Sequence, residues 1–322
     1  MDVAAAHLAA GDLVAFPTET VYGLGADASN EISVAKIYAA KGRPADHPLI
    51  VHIASMHRMG DWAIDIPDYA IKLARDFWPG PMTLIVKRSE LAGDFITGGQ
   101  DSVGLRVPDH TIALALLQAF EKTGGKGIAA PSANRFGQVS PTTAAAVIEE
   151  LGQYLGTQDV VLDGGACEVG VESTIIDCTG GIPRILRPGA ISDDMVAAST
   201  GLEIIRTYRF VYDSDAGLTI VKPDQVRVSG SLENHYAPKA KVFLDQQPTA
   251  GQGFIAMADI ATPDGVIRLA SPQSNDEYAR VLYQGLRAGD EQGLAEIVAI
   301  QPTGEDIAAA IRDRLKKAAT KQ

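Results

Sequence analysis

The apolar and polar positions of the first 205 residues fall into blocks that predict short strands separated by helices. Residues 13–16 are an apolar run of strand length. Pro17 has no amide hydrogen for a sheet ladder and ends that strand. Asn30 or Ser29 can cap a helix running through Ala40. Its apolar face is expected at Ile32, Ala35 and Ala39, with Val34, Ile37 and Tyr38 beside them. Further strands are expected at 49–53, 82–86, 102–107, 127–130, 160–162, 173–177 and 183–186. Helices are expected at 69–77, 112–121, 142–151 and 192–199, with Ser140-Pro141 as N-cap and first-turn proline of the third. Within 102–107 the alternation sets Val103, Leu105 and Val107 on one face and Gly104 and Arg106 on the other.

Residues 206–240 break this pattern with Pro, Gly, Ser and Asp, and read as a linker. From Lys241 the pattern restarts, with strands at 242–244, 253–257, 266–269 and 297–299 and helices at 276–286 and 307–317. The chain therefore divides into an α/β domain at 1–205, a linker at 206–240 and a small α/β domain at 241–322. With 322 residues, 46% of them hydrophobic, it can bury sizeable cores.

Charge and composition exclude several classes. The net charge is −12, nearly all of it in the first 205 residues, which disfavours general nucleic-acid binding. Aromatic residues are 6%, too few for a base-stacking platform. The two cysteines, Cys167 and Cys178, cannot form a structural zinc site, and a chain without a secretory signal favours free thiols over a disulfide. The N-terminus lacks a basic region and reads as a short helix leading into a strand, and no apolar run reaches membrane-spanning length. A cytoplasmic protein without membrane contact is expected.

The candidate chemistry begins at 15–25, AFPTETVYGLG. Here a strand ends in Thr18, Glu19 and Thr20, and Gly23 and Gly25 allow close backbone approaches. Ligands of open α/β sheets bind at the carboxyl edge, so the site is expected there. Neither a Walker A loop nor GxGxxG is present, and the stretch alone reads equally well as a polar turn. Lys41-Gly42-Arg43 leaves a helix and offers a compact charge and a rigid fork for phosphate, or simply a favourable helix C-terminus. His52 is a core histidine or a ligand. Arg106 is a solvent arginine or a carboxylate clamp. Ser132-Ala133-Asn134 follows a strand without a G-x-S-x-G elbow, so Ser132 is a hydrogen-bonding group and not a nucleophile. Ser140 either caps its helix or presents that N-terminus to an anion. Lys41, Arg43, Arg106 and Arg187 together suggest a local anion site in an acidic chain.

In order, FPTETVYGLG, KGRP…HPLIVHI, LRVP, APSAN and VESTI resemble the YrdC-like threonylcarbamoyl-AMP synthase family over roughly residues 5–200. His235-Tyr236-Ala237-Pro238 is similar to the linker of its long, two-domain form. The resemblance implies a twisted, open mixed sheet with helices, followed by a linker over the active site and a small Rossmann-like α/β domain. It implies a nucleotidyltransferase that joins L-threonine, bicarbonate or CO₂ and ATP into threonylcarbamoyl-AMP, releasing pyrophosphate. That product feeds the machinery that makes threonylcarbamoyladenosine on tRNA, with a weak direct RNA contact left open. Carried over by motif, Thr20, His52, Arg106 and Ser173 hold threonine. Arg43, His47, Ser102, Ala130, Ser132, Asn134, Ser140, Arg187 and Tyr236 hold ATP, and Lys41 and Arg43 are catalytic. Mg²⁺ rides on the ATP phosphates, and no metal ligands are expected from the protein. The chain departs from the pattern at His47, where the family usually has Asn, and at 229–233, where the linker's PGM is altered. Two alternatives are a non-catalytic RNA-binding module of the same fold and a hydrogenase-maturation carbamoyltransferase, which is longer and carries cysteine-rich zinc modules absent here.

Overall fold

The computed structural model describes residues 1–205, 209–213, 217–221, 226–228 and 236–320. Its strands are β1 (Val14–Phe16), β2 (Gly23–Asp27), β3 (Ile50–His52), β4 (Met82–Lys87), β5 (Ser102–Arg106), β6 (Ile128–Ala129), β7 (Val160–Val161), β8 (Thr174–Asp177), β9 (Arg184–Arg187), β10 (Arg209–Asp213), β11 (Gly217–Val221), β12 (Lys241–Leu244), β13 (Gly253–Ile255), β14 (Ile267–Ala270) and β15 (Glu296–Ala299). Its helices are α1 (Asp2–Ala9), α2 (Glu31–Lys41), α3 (Met59–Trp62), α4 (Asp68–Phe77), α5 (Asp94–Thr97), α6 (Thr111–Lys122), α7 (Ala144–Leu151), α8 (Asp193–Thr200), α9 (Asn275–Glu291) and α10 (Ile307–Ala319).

Nine strands form one mixed sheet in the order β7-β1-β2-β6-β3-β5-β4-β8-β9. The expected mixed sheet is therefore present, with one strand that sequence reasoning missed. Gly23–Asp27 reads as a glycine-bearing loop, yet it pairs antiparallel to β1 through Val14↔Gly25 and Phe16↔Gly23. The glycines suit this crowded strand: a Cβ on Gly25 would come within 2.7 Å of Ile128 and 2.9 Å of Phe16. The second sheet, β12-β15-β13-β14, is wholly parallel, as expected of a small Rossmann-like unit.

Two local expectations are corrected. Asn30 does cap α2, accepting from the amides of Ile32 and Ser33. The buried face, however, is Ser33, Val34, Ile37, Tyr38, Ala40 and Lys41, and Ile32 is 77% exposed. The helix is turned so that its last turn carries Lys41 inward, a demand that hydrophobicity alone does not reveal. Nor does Ser140 cap a helix. The helix begins at Ala144, where Thr143 accepts from the amide of Ala146. Within 206–240, read as loop, Arg209–Asp213 and Gly217–Val221 pair antiparallel, in keeping with their Val, Ile, Tyr and Phe content. The linker contacts expected at 206–208, 214–216, 222–225 and 229–235 lie outside the described residues. No helix among the described residues is long and apolar enough to cross a membrane.

Candidate active site

A cleft of about 600 Å³, including its open mouth, lies over one face of the large sheet. β3 and β5 run parallel with Ile50↔Gly104 and His52↔Arg106 in register, so period-two alternation aims His52 and Arg106 to the same side. The opposite face carries Val51, Val103 and Leu105 into the main apolar core. The site does not sit off a carboxyl edge, as expected from the sequence. β1, β2, β6 and β3 alternate in direction, so no common carboxyl edge exists for their loops to share.

Most residues singled out in the sequence meet in this cleft: Thr20, Lys41, Arg43, His52, Arg106, Ala130, Ser132, Asn134, Ser173, Arg187 and Tyr236 all line it. His47, Ser102 and Ser140 do not. His47 packs edge-on against Phe136 with ring centroids 5.3 Å apart, just outside. Ser102 lines a separate small cavity beneath Val226–Val228. Ser140 lies behind the cleft and donates to Glu172 Oε1 at 2.6 Å. Sequence reasoning gave no role to Glu19, Glu172 and Phe136. Thr18, Glu172 and Phe136 line the cleft, and Glu19 pairs with one of its arginines.

The turn after β1 is built by Thr18. Its hydroxyl donates to Val21 O at 2.6 Å and accepts from the amides of Thr20 and Val21. Because that proton is committed, Thr20 is the donor in the 2.9 Å contact between the two hydroxyls. Arg106 is 4% exposed, which excludes the solvent reading. Its Nη2 lies 2.8 Å from Glu19 Oε2, an ion pair inside the protein. His52 beside it is held neutral: burial, then the Arg106 charge, pushes its pKa down to about 3.

On the other side, Lys41 reaches from the end of α2 and donates to the backbone oxygens of Ser132 and Asn134. Burial lowers its pKa well below the usual lysine value, with Arg43 adding to the shift. Arg43 donates to Pro48 O at 3.0 Å, and burial brings its pKa down to about 10. Gly42 between them has φ 62°, the left-handed cap that turns the chain so that both cations enter one cleft. Asn134 braces its own loop by donating to Arg135 O and Gln138 O, both at 2.8 Å. Its Oδ1 is buried with no hydrogen-bond partner among the described residues.

Arg187, at the end of β9, donates from Nε to Ser173 O at 3.0 Å and from Nη2 to Ser173 Oγ at 3.1 Å. Ser173 also contacts Thr83 Oγ1 at 2.8 Å. Tyr236, with φ 63°, places its buried ring against the cleft and stacks on Tyr283 at 5.7 Å. Four buried basic side chains thus surround the cleft, whose lining includes one carboxylate, Glu172. Such a site suits a polyanion together with a small carboxylate-bearing ligand. Cys167 and Cys178 are buried free thiols. Among the described residues no group of three or more His, Cys, Asp or Glu side chains could hold a metal ion.

A family model described as telomere recombination matches residues 6–189, and one described as the threonylcarbamoyl-AMP synthase C-terminal domain matches residues 200–320. A threonylcarbamoyl-AMP synthase of Pyrococcus abyssi is 39% identical, covering 98% of this chain and 93% of its own. A threonylcarbamoyl-AMP synthase of Bacillus subtilis is 37% identical over 98% of this chain and 92% of its own. The crystal structure of P. abyssi Sua5 complexed with L-threonine superposes with a TM-score of 0.85 at 37% identity, covering 99% of this chain and 93% of that one.

Proposed function

The chain belongs to the two-domain threonylcarbamoyl-AMP synthases, and on that premise we propose how its cleft makes threonylcarbamoyl-AMP and pyrophosphate from L-threonine, bicarbonate or CO₂, and ATP. The observation that carries the reading is the convergence of Lys41, Arg43, Arg106 and Arg187, all buried, on one cleft of an acidic protein.

Arg106 holds the threonine carboxylate with the part of its fork that Glu19 does not engage. Thr20, Ser173 and neutral His52 supply the remaining polar contacts without adding a second charge. The threonine amine forms a C–N bond to CO₂ and gives up a proton to solvent, leaving a carbamate. A carbamate oxygen then attacks the α-phosphorus in line. The new P–O bond forms as the bond to pyrophosphate breaks. Lys41 and Arg43 neutralise charge on the departing phosphates, and Arg187 and Tyr236 flank the nucleotide. Ala130, Ser132 and Asn134 provide a close backbone approach, with Asn134 Oδ1 available to accept. This chemistry depends on positioning and electrostatics and needs no covalent nucleophile. ATP enters as its Mg²⁺ complex, with the ion carried on the substrate's phosphates.

The linker is assigned as a cover of this face of the sheet, with residues 226–228 over the separate cavity that Ser102 lines and Tyr236 at the cleft itself. Val228 packs on Ile85 and Ile175, and Arg227 is fixed by Gln100 through bonds of 2.6 and 3.1 Å. Tyr236 closes its far end. The product passes to the tRNA-modifying transfer machinery in the cytoplasm. Pyrophosphate release from the purified chain tests the reading. Release should require threonine and bicarbonate together. Release that ignores threonine contradicts it.

A further inference from the structure

The side of the cleft at Glu172 is completed from the C-terminal domain. Glu172 is buried, and so is Arg314 of α10, whose side chain exposes 0% of its surface. Arg314 Nε donates to Glu172 Oε2 at 2.8 Å, Nη2 to the Glu172 backbone oxygen at 3.3 Å and Nη1 to Pro188 O at 2.9 Å. These two backbone oxygens belong to the immediate neighbours of Ser173 and Arg187, both of which line the cleft. Arg314 Cζ also lies 5.4 Å from the centre of the Tyr236 ring. On α9, Tyr283 OH is 2.8 and 3.1 Å from the Glu172 carboxylate oxygens.

Resting on the reading above and deepening it, we propose that Arg314 is a positioning residue. From the C-terminal domain it fixes the backbone beside Ser173 and beside Arg187, and so sets the threonine and phosphate contacts of the cleft. One guanidinium tying two segments of the first domain together uses the planar array of donors that a lysine lacks.

The arrangement is also electrostatic. Burial would drive Glu172 toward its neutral form, but Arg314 and then Arg187 outweigh it and hold its pKa at about 2. The groups facing Glu172 are Arg314 from α10, with Asp313 and Lys317 behind it; Tyr283 from α9; Tyr236 from the segment before β12; Arg187 from β9; and Ser140 from the loop before α7. Without Arg314 the largest opposing charge is gone, and only Arg187 and the Ser140 hydrogen bond still counter the burial penalty. Glu172 then takes a proton at higher pH, and its grip on Ser140 and Tyr283 changes with pH.

The test uses the full chain and pyrophosphate release, with kcat and KM for threonine and ATP measured between about pH 5 and pH 9. Arg314→Met should lower kcat/KM for threonine about 10- to 100-fold, the scale of a small misplacement of reacting groups. Its acid limb should move up relative to wild type. Glu172→Gln in that background should abolish the displaced limb and restore at least about threefold activity, because it removes the stranded charge. A part that was only structural would lower the melting temperature and leave the pH profile of the folded protein in place. If Arg314→Met does not fold, Arg314→Lys is decisive. It keeps a charge near Glu172 but cannot also reach both backbone oxygens, so kcat/KM should fall while the acid limb stays. Arg314 variants kinetically indistinguishable from an active wild type overturn this proposal alone. A wild-type chain without threonine-dependent release overturns the functional reading and this proposal with it.

Discussion

Replacing Arg106 by lysine isolates the contact proposed to hold the amino-acid carboxylate. Arg106 is buried beside a buried acid, with Nη2 2.8 Å from Glu19 Oε2. A guanidinium can face Glu19 with one amino group and offer the other to a substrate carboxylate. A lysine ammonium at the same place is a single point charge, and Glu19 holds it back from the cleft. The variant therefore keeps the internal ion pair and loses the substrate arm. A hydrogen bond to a charged group contributes on the order of 1.5–3 kcal/mol, which corresponds to roughly 10- to 100-fold in KM. His52 cannot compensate, because with a pKa of about 3 it carries no charge at neutral pH. Initial rates of pyrophosphate release against threonine concentration at saturating ATP measure the effect, and the converse titration measures ATP. The threonine KM should rise about 10- to 100-fold, with the ATP KM changed less than about threefold. An unchanged threonine KM, or equal damage to both substrates, refutes the clamp.

Arg43→Ala should cut turnover about 10²-fold, the scale of losing one donor aimed at transition-state charge, and near wild-type release would remove Arg43 from the mechanism. His52 makes a stability prediction: its folded pKa of about 3 lies below the unfolded value near 6.5, so the unfolded chain binds the extra proton. Stability should thus fall as pH drops from about 6.5 toward 3, by up to about 1.4 kcal/mol per pH unit, and His52→Gln should flatten that decline in thermal melts; an unaltered slope contradicts the buried neutral imidazole. Ser140→Ala removes the 2.6 Å bond to Glu172 and should destabilise the fold by about 1.5–3 kcal/mol, read in urea unfolding, whereas an unchanged midpoint would mean that this bond contributes nothing.

The parts of this architecture that depend on local pattern were legible in the sequence. Asn30 caps its helix as its residue type suggests, and Arg106 falls on the face that alternation assigns it. Misreadings arose where the site overrides local preference. Gly23–Asp27 is a strand despite its glycines, because β1 and Ile128 crowd it too closely for a Cβ at Gly25. The helix face at 31–41 is set by Lys41, which must enter the cleft, and not by Ile32. Ser140-Pro141 has the form of a helix start, but its hydroxyl is taken by a carboxylate distant in sequence. The partners of Glu172 were invisible for the same reason, since Tyr283 and Arg314 lie more than a hundred residues away. A signal did exist: Arg314 sits on the apolar stripe formed by Ala310, Ile311, Leu315 and Ala318, and a cation on a buried stripe requires a partner. The motifs located the cleft's residues, but the directions of β1, β2, β6 and β3 placed that cleft on a sheet face instead of at an edge.

The most direct test of the account is mass spectrometry of the product formed from L-threonine, ¹³C-bicarbonate and MgATP. The account predicts a threonylcarbamoyl-AMP species that carries the label, one pyrophosphate for each molecule formed, and loss of both when threonine is omitted. Consumption of ATP to ADP, or to AMP without a labelled threonine adduct, would contradict it.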